Sequence, residues 1–149
     1  MTIYDLFETD VDLEKKGVTV KITEAESVTV AAFGNENHAK ILERLKKPYK
    51  QQYRKGTVDE KVDEDIHVRA MSQAVLLGWE GIKDKLKLFG DDPEALVPYS
   101  QDNAYKLLSE PRMKRFKGLI VELAASTETY KKQEEEDAVK NSQAASSGS

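Results

Sequence analysis

The chain has no cysteine, which excludes a disulfide framework, a thiolate nucleophile and any cysteine-based zinc site. Histidine is almost missing as well. Only His38 and His67 occur among 149 residues. His67 follows Asp63 by four residues, which sets both on one helix face, but two ligands do not complete a metal site. Glycine is scattered, so no phosphate-cradling loop forms, and no nucleophile-elbow pattern surrounds any Ser or Thr. Acidic residues are plentiful, yet none stands in an apolar setting that would raise its pKa for acid catalysis. Asp91-Asp92 lies in a turn-like segment, where backbone hydrogen bonding is the ordinary role. No apolar run approaches the roughly 20 residues that span a bilayer. The opening MTIYDLFETD has no basic stretch followed by an apolar one, so it does not read as a secretory signal. These absences argue against an enzyme and against a membrane protein. They nominate no catalytic, cofactor-binding or metal residue.

What is present suits one soluble domain. Hydrophobic residues make up 39% of the chain, enough for one modest core, and 34% are charged. The formal charge of −4 favours solubility over nucleic-acid binding. Residues 1–16 read as a lead-in, with five acids and no base between Asp5 and Glu14. Alternation of Val18, Val20 and Ile22 with polar residues, then the run Val28 to Phe33, predicts a β-hairpin over 18–33. A lone hairpin is marginal in water, so it must pack on helices.

Gly34-Asn35-Glu36-Asn37 offers turn and N-cap chemistry. The spacing of His38, Leu42, Leu45 and Tyr49 predicts helix over about 37–55, kinked or ended near Lys47 by Pro48. Thr57-Val58-Asp59-Glu60 matches a capping box and opens a helix over about 58–78. Val62, Ile66, Ala70, Ala74 and Leu77 form one stripe of that helix, and Val68, Met71, Val75 and Trp79 a second. Residues 83–98 read as a long loop. Ser100 caps a short helix over 101–109, and Pro111 starts a last one over about 111–136. The terminal NSQAASSGS, 141–149, has nothing to bury and is expected to be disordered. The expected fold is mainly α with a small N-terminal hairpin, an α+β compact helical domain over 17–140. Its expected core is Trp79, Leu77, Ile66, Met71, Val75, Ile120 and Phe116, with Trp79 a core anchor rather than an exposed partner hot spot.

The most polarised segment, 38–56, carries Lys40, Arg44, Lys46, Lys47, Lys50, Arg54 and Lys55 against the single acid Glu43, with Tyr49 and Tyr53 interleaved. It reads as a solvated face balancing the acidic helix start that follows. A nucleic-acid surface over 40–55 is the alternative.

Several short pieces in order resemble the tail assembly chaperones of long-tailed, siphovirus-type bacteriophages. They are the hairpin end Phe33-Gly34-Asn35-Glu36-Asn37, then Leu45-Lys46-Lys47-Pro48-Tyr49, then Leu77-Gly78-Trp79-Glu80-Gly81-Ile82. Pro98-Tyr99-Ser100-Gln101-Asp102-Asn103-Ala104 follows, closely succeeded by Leu107-Leu108, and a Glu-rich segment ends at Lys140-Asn141-Ser142. The resemblance spans about Gly17 to Ser142. It implies a non-enzymatic factor in the host cytoplasm, without cofactor and absent from the mature virion. Such a factor binds and solubilises the tape measure protein and helps the tail-tube protein polymerise around it. It also implies a longer form made by programmed ribosomal frameshifting, and self-association is open to it. A client helix would be held in an apolar groove, for which Tyr4, Phe7, Met113 and Tyr130 are the candidate partner-binding residues.

Overall fold

The computed structural model describes residues 1–131. In chain order they form α1 (Ile3–Phe7), α2 (Val11–Lys16), β1 (Val18–Lys21), β2 (Ser27–Val30), α3 (Glu36–Lys46), α4 (Lys50–Lys55), α5 (Glu60–Ala74), β3 (Leu76–Glu80), α6 (Gln101–Ser109) and α7 (Lys114–Ala125). Three 3-10 turns, at Lys47–Tyr49, Pro111–Met113 and Glu128–Tyr130, join or end these elements. This is an α+β domain, mostly helical, with one small antiparallel sheet ordered β1-β2-β3.

The sheet has three strands rather than two, which corrects the expected helix over 58–78. That helix stops at Ala74, and Leu76–Glu80 pairs with β2 instead. A β-bulge explains why the sequence looked helical here. Thr29 faces Gly78 while Val30 faces Leu76, so Leu77 is the extra residue between them. The bulge lets Leu76 and Trp79, three positions apart, both turn inward, a spacing that ordinarily marks a helix face. Leu77 is consequently only half-buried and is not a core residue. The start of α5 also differs. Asp59, not Thr57, is the N-cap, accepting from the Lys61 N–H at 2.8 Å. The Thr57 N–H donates to the Gln52 carbonyl and closes α4, where Gly56 takes the left-handed conformation.

α5 packs between α3 and α6 and leads directly into β3, while α7 lies against β2 and α6. Val28, Val30, Met71, Val75, Leu76 and Ile120 are fully or nearly enclosed at the centre. Ile66 and Trp79 are buried, and Phe116 packs half-buried against the same cluster. Trp79 makes an edge-on contact with Tyr99, with ring centroids 5.1 Å apart, and its indole N–H donates to the Val97 carbonyl at 2.8 Å.

The expected continuous helix over 111–136 is shorter. Pro111–Met113 is a 3-10 turn, α7 ends at Ala125, and Ser126 is extended. The chain breaks there because Tyr130 is drawn into the core, where its hydroxyl donates to the Val30 carbonyl at 2.9 Å. The rest of that helix and the expected disordered tail over 141–149 lie outside the described residues. Helix over 37–55 is divided at Lys47–Tyr49 by the turn containing Pro48, and the lead-in holds two short capped helices.

Candidate functional site

Because α5 turns its flanks to α3 and α6, a groove stays open between α5 and α7. Its wide end holds about 510 Å³, over an apolar floor of Val68, Leu108 and Pro111 with Tyr105 at the side. Its narrow end holds about 210 Å³, between Phe33, His38, His67, Met71 and Val121. Glu64, Val68 and Lys117 line both ends, which makes them two parts of one groove. Lys117 Nζ and Glu64 Oε1 pair across it at 3.4 Å. Such exposed pairs contribute at most about 1 kcal/mol, so this bridge does not close the groove firmly.

The rim charges are largely accounted for. Asp65 takes hydrogen bonds from the Tyr105 hydroxyl and, at 2.8 Å, from Arg69 Nε. Burial pushes the Asp65 carboxyl up, but those two donors outweigh it and hold its pKa below the usual value. The Arg69 guanidinium also stacks 4.3 Å from the centre of the Tyr105 ring. Glu110 binds Arg112 at 2.6 Å. Lys61 and Lys114, on the wide end, have no ion-pair partner among the described residues.

His38 stands at the narrow end on the first turn of α3. Its Nδ1 accepts from the Gly34 N–H at 2.9 Å, which requires that nitrogen to be unprotonated. Burial lowers its pKa first, with His67 and Lys46 adding to the effect. Beside it, the Asn35 side chain caps α3 through the Asn37 and His38 N–H groups. The same amide donates to the Ala32 and Ala74 carbonyls, at 2.7 and 3.0 Å, and so ties the end of α5 to the turn after β2.

The four nominated partner-binding residues do not form one surface. Tyr4 and Phe7 are 70% and 67% exposed on α1. Met113 is half-buried against the core at the head of α7. Tyr130 is 1% exposed and is a structural anchor, which corrects its nomination. Burial also pushes its phenol pKa upward. His67 pairs with Asp63 at 3.4 Å, and among the described residues no three His, Asp or Glu side chains gather as a metal site. On the basic face, Tyr53 is already engaged. Its hydroxyl donates to Asp63 at 2.6 Å, and Lys46 sits 4.9 Å over its ring. Burial and that bond push its pKa up to about 12.

Sequence reasoning did not identify the groove. Its floor comes from α5, α6 and α7, elements distant along the chain. Asp84 was also missed. It is buried, accepts from the Leu88 and Phe89 N–H groups at 2.8 and 3.0 Å, and so shapes the loop after β3.

A small helical domain with an open groove and no long apolar helix among its described residues is the setting for one further finding. Residues 33–141 match the family model described as YdaY prophage protein. The chain belongs to that family, and it is of phage origin. The match includes all three walls of the groove and begins after β2. No curated protein and no solved structure matches the chain.

Proposed function

We propose that the protein is an assembly chaperone for phage tails, holding the helical tape measure protein soluble in the host cytoplasm while tail-tube subunits polymerise around it. The α5–α7 groove carries this reading. An apolar floor between two helices, rimmed by charge, suits the apolar stripe of an amphipathic client helix. Phage ancestry supports it, and so does the resemblance of the short ordered pieces between Phe33 and Ser142 to tail assembly chaperones. The protein acts here by binding, without catalysis or cofactor. A longer frameshifted form would carry the contact to the tail-tube protein, and a slippery stretch near Lys140-Asn141 in the gene is its test.

Co-expression with the tape measure protein of the same phage tests the main reading. The tape measure should move from the pellet to the soluble fraction and co-purify with the chaperone. Unchanged aggregation with no co-purification would end this assignment. A second reading rests on Lys47, Lys50, Arg54 and Lys55, which stand on one basic stretch without ion-pair partners among the described residues. Single-stranded nucleic acid bound there must dissociate steeply with added salt. Tyr53 weakens that reading, because its hydroxyl and one ring face are already engaged.

A further inference from the structure

Among the described residues, six of the nine large apolar side chains that stand exposed lie in the first eleven positions: Met1, Ile3, Tyr4, Leu6, Phe7 and Val11. α1 buries none of its residues, yet it is formed. A capping box holds it, with the Asp5 N–H donating to Thr2 Oγ1 at 3.3 Å and the Thr2 N–H to Asp5 at 2.9 Å. An ordered helix with an unpartnered apolar surface has already met much of the conformational cost of docking.

We propose that this arm, residues 1–11, seats in the α5–α7 groove of a second copy of the chain, and that two copies exchange arms reciprocally. The proposal rests on the groove reading given above and adds its occupant in the absence of a client. Charge complementarity selects the partner. The arm and the helix behind it carry Asp5, Glu8, Asp10, Asp12 and Glu14, with no base before Lys15. On the groove, Glu64, Asp65 and Glu110 are each paired with a cation, which leaves Lys61 and Lys114 as the uncompensated charges. The same acidity disfavours an anionic lipid surface as the occupant.

The arm is rooted beside the far end of α7, where the Asp10 N–H donates to the Tyr130 carbonyl and the Phe33 N–H to Ala124. In its own chain the arm does not enter the groove, and Ile3, Tyr4 and Phe7 stay exposed. Exchange between two copies joins arm to groove twice through one two-fold interface.

Sedimentation of the purified full chain, without client, from about 1 to about 200 μM tests this. A reversible dimer is expected. Removing residues 1–8 should give a monomer that melts at the same temperature as the full chain diluted to monomer, because α1 buries nothing. Lys61→Glu with Lys114→Glu should weaken the dimer at least about tenfold. A photo-crosslinking residue at Phe7 should capture residues 105–121 of the other copy. A wild-type monomer throughout, a dimer that survives the deletion, or crosslinks to a second α1, to the β1 edge or to residues 132–149 would each overturn the proposal. Client binding is read separately by co-purification, so a failed dimer leaves the chaperone assignment standing, and the converse also holds.

Discussion

The arm with the helix behind it, residues 1–16, and the loop, residues 81–99, are built from similar material and end in opposite places. Both mix apolar residues with charge, and neither contains a long regular element. The arm leaves Ile3, Tyr4, Phe7 and Val11 exposed, and its side-chain hydrogen bonds are mostly local. The loop is pinned to the domain by polar groups. Its two sides are tied to each other, the Val97 N–H donating to the Ile82 carbonyl at 2.8 Å and the Asp84 N–H to the Ala95 carbonyl at 2.9 Å. Trp79 and Tyr99 reach across between β3 and the end of the loop, binding the Val97 and Leu76 carbonyls respectively. Apolar content alone therefore did not decide which segment packed. Buried polar side chains that satisfy loop backbone did, since an unpaired buried backbone group is costly.

The largest expected effect breaks the loop at its entrance. Gly81 has φ +81°, and a Cβ there would lie 1.8 Å from the Ala25 carbonyl oxygen. Gly81→Ala should destabilise the domain by about 4 kcal/mol or more, read by urea denaturation. Next comes Asp84→Ala, which strands the Leu88 and Phe89 N–H groups. A loss of about 2–3 kcal/mol is expected, with faster amide exchange confined to residues 84–97.

His38 extends the comparison to a buried polar group outside the loop. Its pKa is lowered in the folded state, so in the pH window that opens around the ordinary imidazole value of 6.5 and extends below it the unfolded chain takes up the proton first. Stability should fall as pH falls through that window, and His38→Gln should flatten the slope. The lowered carboxyls, such as Glu94, held down to about 2 by hydrogen bonds from Lys83 and Lys85, lose their contributions only at more acid pH. The smallest effect sharpens the other side of the contrast. Tyr4→Ser with Phe7→Ser in the arm should change stability by no more than about 0.5 kcal/mol. A larger loss in monomer would show that the arm packs after all.

The helices with ordinary caps and stripes were legible in sequence. Asn35 and Ser100 cap α3 and α6, and the 3.6-residue spacing of Ile66, Ala70 and Ala74 marks α5. β3 was not legible, because the bulge at Leu77 gives Leu76 and Trp79 a helix-like interval. Tyr130 misled for a related reason. It continues the apolar stripe of α7, but a buried acceptor on β2 takes its hydroxyl and bends the chain out of the helix. The groove was invisible because it is defined by a gap between helices, and spacing along one helix carries no record of its neighbours. α1 shows the reverse limit, since a sound cap was present without any burial to accompany it.

The bond from Tyr130 to Val30 also bears on how the chain reaches its fold. Its partners are separated by 100 positions, and such a contact must wait until a long loop has closed. β2 lies between β1, available early in synthesis, and β3, which arrives some fifty residues later by position along the chain. The bond from Tyr130 to the last carbonyl of β2 can form only after Tyr130 has been made. The domain should therefore complete cooperatively and late, with the end of β2 not yet tied to the C-terminal turn during most of translation. A nascent chain arrested before Tyr130 would lack the hydroxyl that ties the end of β2 to the C-terminal turn.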